Sequence, residues 1–164
     1  ALLALMRLYN ETNNEEYLAA VQKAFPFYRN YWRQNNNTAF VPWHTQAYKL
    51  LYEKTGKKEV ADFIFEMNDW LLARDGFSEK IHISLAVHLE GISDAYVVAK
   101  QINDAIREQK YGASIKSATA RILKLQLFPY GGFMNSLENN SMRNDYTQHA
   151  TLALKKVYQN EIFK

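Results

Sequence analysis

The residues best suited to chemistry stand late in the chain, in Gly131-Gly132-Phe133-Met134-Asn135-Ser136 and Ser141-Met142-Arg143-Asn144-Asp145-Tyr146-Thr147-Gln148-His149. A glycine pair followed by an aromatic residue leads into a helix whose first turns carry Arg143, Asp145, Tyr146 and His149. Asp145 and His149 are four residues apart, so they share a helix face and can pair. Such a pair suits a general base and its orienting partner, provided the two lie within hydrogen-bond reach. Tyr146 or His149 is suited to moving a proton. Arg143 can grip a carboxylate or phosphate at two points, and Phe133 can offer a flat face to a ligand. The same residues also have a purely architectural account. An acid near a helix N-terminus is favoured by the helix dipole, and an Asp–His pair can simply brace the helix.

Two further clusters have the same double reading. Trp43-His44, with Gln46 and Tyr48, stands at the start of a helix and combines an aromatic face with polar tips; it suits a ligand, or else a packed rim with a locally satisfied histidine. His82, Ser84, His88 and Glu90 form the third cluster, with His82 and Glu90 on one stripe and Ser84 and His88 on another. Glu90 lies in the apolar setting Val87-His88-Leu89-Glu90-Gly91-Ile92. If buried it must pair or take a proton, because an isolated buried charge is very costly. That makes it the candidate for a carboxylic acid of raised pKa, or else a strut to a loop N–H or to Arg143.

Other chemistries are poorly supplied. The four histidines show no HxxxH or HExxH spacing and there is no cysteine, so the sequence offers no metal site, disulfide or thiolate nucleophile. No GxGxxG, GxxxxGK[ST] or GxSxG motif occurs, and no cofactor is expected. The net charge of +3 comes from 20 basic and 17 acidic residues spread along the chain, without the clustered basic face that nucleic acid requires. No run approaches eighteen apolar residues, so no membrane span is expected. The lack of cysteine fits a reducing or an oxidising compartment, cytoplasmic or periplasmic, and selects neither.

The elements that must position these residues read as helices. With 48% hydrophobic residues but only six Gly and three Pro, the 164-residue chain has a core for one domain and little punctuation for many short strands. Ala1–Tyr9 begins as if in mid-helix, and the chain reads as the later part of a larger protein. Tyr17, Leu18, Val21, Ala24, Phe25 and Tyr28 form one buried stripe on a helix from Glu15 to about Trp32, capped within Thr12–Asn14. The spacing then predicts helices from about Pro42 to Thr55 with Gly56 as C-cap, Lys58 to Ala73, His82 to Gln101, Ile115 to Leu127 and Arg143 to Tyr158. A turn is expected at Asp75-Gly76 and a break at Pro129–Gly132.

The chain also repeats itself. Leu8-Tyr9-Asn10-Glu11-Thr12 matches Leu51-Tyr52-Glu53-Lys54-Thr55 at an offset of 43 residues, and Asp94–Ala99 is a weaker third copy 44 residues further on. Ala153–Tyr158 is a possible fourth helix end. Each unit reads as a helix ending near that tyrosine, a polar turn and a helix running back. Helices apolar on several faces alternate with one-sided amphipathic ones, as inner and outer layers require.

Phe40-Val41-Pro42-Trp43-His44-Thr45-Gln46-Ala47-Tyr48, followed by Leu51-Tyr52 and Thr55-Gly56, resembles the hairpins of (α/α)6-toroid proteins, the six-hairpin glycosidases and sugar epimerase-like enzymes. The resemblance implies an all-α fold of antiparallel hairpins amounting to about half such a ring, completed by the rest of its own chain. It implies a carbohydrate ligand, with Asp145, Glu90, His149 and Tyr146 as catalytic residues and Trp43, His44, Arg143 and Phe133 as substrate-binding ones. The alternative is a non-catalytic helical-repeat module offering a concave surface to a protein partner.

Overall fold

The computed structural model describes residues 1–74, 77, 79 and 81–163. The Asp75-Gly76 turn lies outside the described residues. The fold is all-α, with helices α1 (Leu2–Thr12), α2 (Glu15–Gln34), α3 (Phe40–Thr55), α4 (Lys58–Leu72), α5 (Ser84–Gln101), α6 (Ala105–Leu123) and α7 (Asn144–Gln159). They pair as antiparallel hairpins and divide into two compact units, Ala1–Leu71 and Leu72–Lys164.

The first unit is two hairpins whose turns are close copies of each other. In α1 the Thr12 hydroxyl donates to the Leu8 carbonyl at 2.7 Å and accepts the Asn14 N–H at 3.2 Å. In α3 Thr55 donates to Leu51 at 2.8 Å and accepts the Lys57 N–H at 3.4 Å. Each helix then closes on a left-handed residue, Asn13 (φ 53°) or Gly56 (φ 63°), whose N–H returns to Tyr9 or Tyr52. The 43-residue repeat is therefore a repeat of a capping device. It satisfies carbonyls that a helix end leaves open. A methyl group at Gly56 would meet nothing within 4 Å, so the cost of Gly56→Ala is backbone strain alone. A loss of roughly 1 kcal/mol is expected, with a smaller loss for Gly56→Asn. Urea unfolding checks it, and an unchanged midpoint for the alanine variant would mean that the left-handed cap carries no stability.

The core of this unit is aromatic. Phe63 of α4 lies 5.9 Å from Phe25, 5.8 Å from Trp32 and 5.8 Å from Tyr48, ring centre to ring centre. Such tilted and edge-on pairs add to the gain from area burial. Asn68 donates to Thr45 at 2.8 Å and so ties α4 to α3 inside the hairpin. Helix α1 also packs on α3, two places along the chain.

In the second unit α5 is the central helix, buried on several faces from Leu85 to Ala99, with α6 and α7 packed on it. Helix α6 begins at Ala105, ten residues before the expected Ile115, and ends at Leu123 rather than Leu127. The Asp104 side chain caps it by accepting the Arg107 N–H at 3.0 Å. Its first turns gave no apolar stripe because they face water, with Ile106 82% exposed. Helix α5 starts at Ser84 rather than His82, because His82 and Ser84 form a local turn. Between α6 and α7 the chain makes isolated antiparallel bridges, Gln126 with Phe133, Met134 with Met142 and Ser136 with His82. The first two fold this segment on itself, and the last fastens it to the turn ahead of α5.

Candidate functional site

The site grows from the pairing of α5 with α7. Burying Glu90, 3% exposed, on an apolar helix would cost several kcal/mol for an unpartnered charge. The partner is His149 of α7, whose Nδ1 lies 2.7 Å from Oε1 of Glu90. An ionised carboxylate can only accept, so with Glu90 ionised the proton of this bond sits on Nδ1. Any proton that His149 exchanges with a ligand then passes through Nε2.

Two helical turns further along α7, Lys156 reaches back to α5. Its Nζ donates to Asp94 Oδ2 at 2.6 Å and to the backbone carbonyl of Glu90 at 3.2 Å. Glu90 and Asp94 are four residues apart on α5, and His149 and Lys156 seven apart on α7, so each pair lies on one face. The two helices therefore meet along a seam of alternating acid and base. Asn160 extends it by donating to the Ser93 carbonyl at 3.3 Å.

His149 also lines a cleft of about 240 Å³ together with His82, Ile83, Ser84, Val87, Asn135, Asp145 and Tyr146. A broader hollow of about 680 Å³ shares His82 and Ser84 and adds Glu79, Ile81, Ser136, Leu137 and Glu138. His82 Nδ1 accepts the Ser84 N–H at 3.1 Å and lies 2.9 Å from the Ser84 hydroxyl. Since Nδ1 accepts, the His82 ring offers an Nε2 donor when neutral.

Asp145, Tyr146 and His149 thus come together at one cleft, with Glu90 behind His149. The partners differ from the expected ones. The carboxylate on His149 Nδ1 is Glu90, from another helix. Asp145 instead receives Arg143 at two points, both 2.9 Å long. Arg143 also lies over the Tyr146 ring at 5.1 Å, and the carboxylate beside it holds its guanidinium proton more tightly than usual. Glu90 is tied to His149 rather than to Arg143 or a loop N–H.

Phe133 is 3% exposed, so its ring fills the interior, while its N–H donates to the Thr147 hydroxyl at 3.3 Å. His88 is half-buried with its ring 6.0 Å from Phe77, and burial pushes its pKa down to about 4. Trp43 and His44 belong to the first unit. His44 stacks on Phe40 at 3.3 Å, and its Nδ1 lies 2.9 Å from the Phe40 carbonyl. Burial lowers its pKa to about 4. Gln46 and Tyr48 are buried, and of these four residues Trp43 alone is exposed.

Lys156 and Asp94 are the members of the seam that spacing did not single out. A signal was present, namely two acids one turn apart on a helix apolar on several faces. Among the described residues no group of three or more His, Cys, Asp or Glu could hold a metal ion, and no helix is long and apolar enough to cross a membrane. No family model matches the chain, and no curated protein or solved structure matches it either.

Proposed function

We propose that the second unit carries a proton-transfer site for a sugar or sugar-like ligand, in which His149 exchanges the proton and Glu90 fixes its ring. The observation that carries this reading is the 2.7 Å Glu90–His149 bond on the wall of a cleft that also holds Asp145, Tyr146, His82 and Ser84. A carboxylate fixing one ring nitrogen, with the ring on the wall of a cleft, suits a histidine acting as general acid or base. The lining mixes hydroxyl, amide, imidazole and carboxylate groups around the apolar Ile83 and Val87, which suits a ligand bearing several hydroxyls.

Of the two carbohydrate reactions, epimerase-like proton transfer is the better supported. Glycoside hydrolysis uses two carboxyl groups, one giving a proton and one attacking or activating water. Here Glu90 is committed to His149 and Asp145 to Arg143. Proton transfer beside a carbonyl needs only a base that takes a proton and an acid that returns one, and His149 with Tyr146 can fill those roles. A toroid architecture is supported by α1 packing on α3 and α5 on α7, each helix meeting the one two places along.

The test is proton exchange. The chain is incubated in D2O with a panel of aldoses and ketoses, and NMR follows the hydrogen on the carbon next to the carbonyl. Deuterium incorporation is expected, with a loss of about 10²-fold or more in His149→Gln. No exchange and no binding at millimolar sugar would overturn the reading. The second reading, a non-catalytic repeat module for a protein partner, is supported by the recurring threonine-capped turn and predicts that silent outcome.

A further inference from the structure

We propose that Lys156 is a positioning residue of this site, holding α5 so that the Glu90 carboxylate stays on His149 Nδ1. The inference rests on the reading of His149 as the proton-transfer group, but its geometry stands on its own. Lys156 makes two contacts on α5, with the Asp94 carboxylate at 2.6 Å and the Glu90 carbonyl at 3.2 Å. The second grips the backbone of the very residue whose side chain holds His149. Its side chain is 23% exposed and that of Asp94 11%, so water competes weakly for either charge. A carbonyl inside α5 already accepts a bond from its own helix, so this extra donor adds nothing the helix requires. What it fixes is the height of Glu90 relative to α7. Asp94 holds the ammonium group in place, and Lys156 in turn keeps Asp94 from being a lone buried acid beside the dyad. Glu90 bonds His149 Nδ1, and His82, Ser84, Asn135, Asp145 and Tyr146 share its cleft, while Asp94 and Lys156 pair further along the same two helices.

The experiment reads the ring N–H of His149 by nitrogen-15 NMR of the ligand-free chain, its resonance identified by disappearance in His149→Gln. Lys156→Met is expected to speed exchange of that proton with water by about tenfold, whereas Lys156→Arg, which can donate to both acceptors, restores protection. Asp94→Asn loosens the ammonium group and should speed exchange several-fold, and it decides the matter alone if Lys156→Met does not fold. Amide protons of Ala150 and Ala153 on α7 serve as the control and should keep their exchange rates. An unchanged ring N–H in both Lys156→Met and Asp94→Asn overturns the proposal, as does equal acceleration of the control amides, which would make Lys156 a general brace. Because no ligand is present, this result is independent of whether the sugar panel exchanges deuterium.

Discussion

Replacing Glu90 by leucine is expected to destabilise the second unit by about 1–3 kcal/mol, and adding His149→Phe is expected to restore the loss while leaving no proton-transfer activity. The single change strands a ring N–H in a place where Glu90 is 3% exposed and the His149 side chain 17%, so water replaces the lost partner poorly. That stranding of a buried donor, rather than the worth of the bond, sets the penalty. The double change removes donor and acceptor together. Well-packed apolar replacements of buried ion pairs are commonly neutral or stabilising by about 1–4 kcal/mol. Urea unfolding of both variants, alongside the deuterium assay, separates the two accounts of the pair. A double variant less stable than Glu90→Leu alone would show that the pair is a strut that the fold needs. Recovered stability without activity would show that the fold tolerates its loss and that chemistry does not.

Phe63→Ala is expected to cost the first unit about 3–5 kcal/mol. Phe63 is 1% exposed and sits among Phe25, Trp32 and Tyr48, with the Arg33 guanidinium over its ring at 5.9 Å. Rings on α2 and α3 surround the cavity that would form. Phe25 and Tyr48 are set edge-on at 5.1 Å, and Trp32 and Trp70 at 5.3 Å, so neither pair closes inward without giving up its own contact. Tryptophan fluorescence during denaturant unfolding reports directly, since Trp32 touches the site. A loss below about 1.5 kcal/mol would mean that the neighbours refill the space, since the cost of a truncation depends on how far its site collapses.

How much of this was legible beforehand depended on whether the determining interaction was local. The helices from Glu15, Phe40 and Lys58 follow apolar stripes and caps that lie within a few residues of each other. Gly56 and Asn14 do the capping that their types favour. The start of α6 was hidden because a solvent-facing first half carries no stripe. The chemistry was legible in its members but not its pairing. Asp145 stood four residues from His149, yet Arg143, two residues before Asp145, claimed its carboxylate. Glu90 reached His149 across 59 residues. Spacing along one helix cannot register a partner brought in by another.

That difference in reach also orders events in time. The ties inside the first unit span short stretches, 23 residues from Asn68 to Thr45 and 33 from Arg33 to Glu66. Those of the α5–α7 seam span 59 and 62 residues and enclose α6 and the bridged segment after it. Loop closure becomes costlier only slowly with length, by about 0.6 kcal/mol per doubling, but folding slows as contacts become less local. The first hairpins can therefore zip from their turns, while the α5–α7 seam waits for α6 to dock. The Glu90–His149 bond is then expected among the last contacts to form in its unit, so a chain caught partway would be helical yet lack this pair.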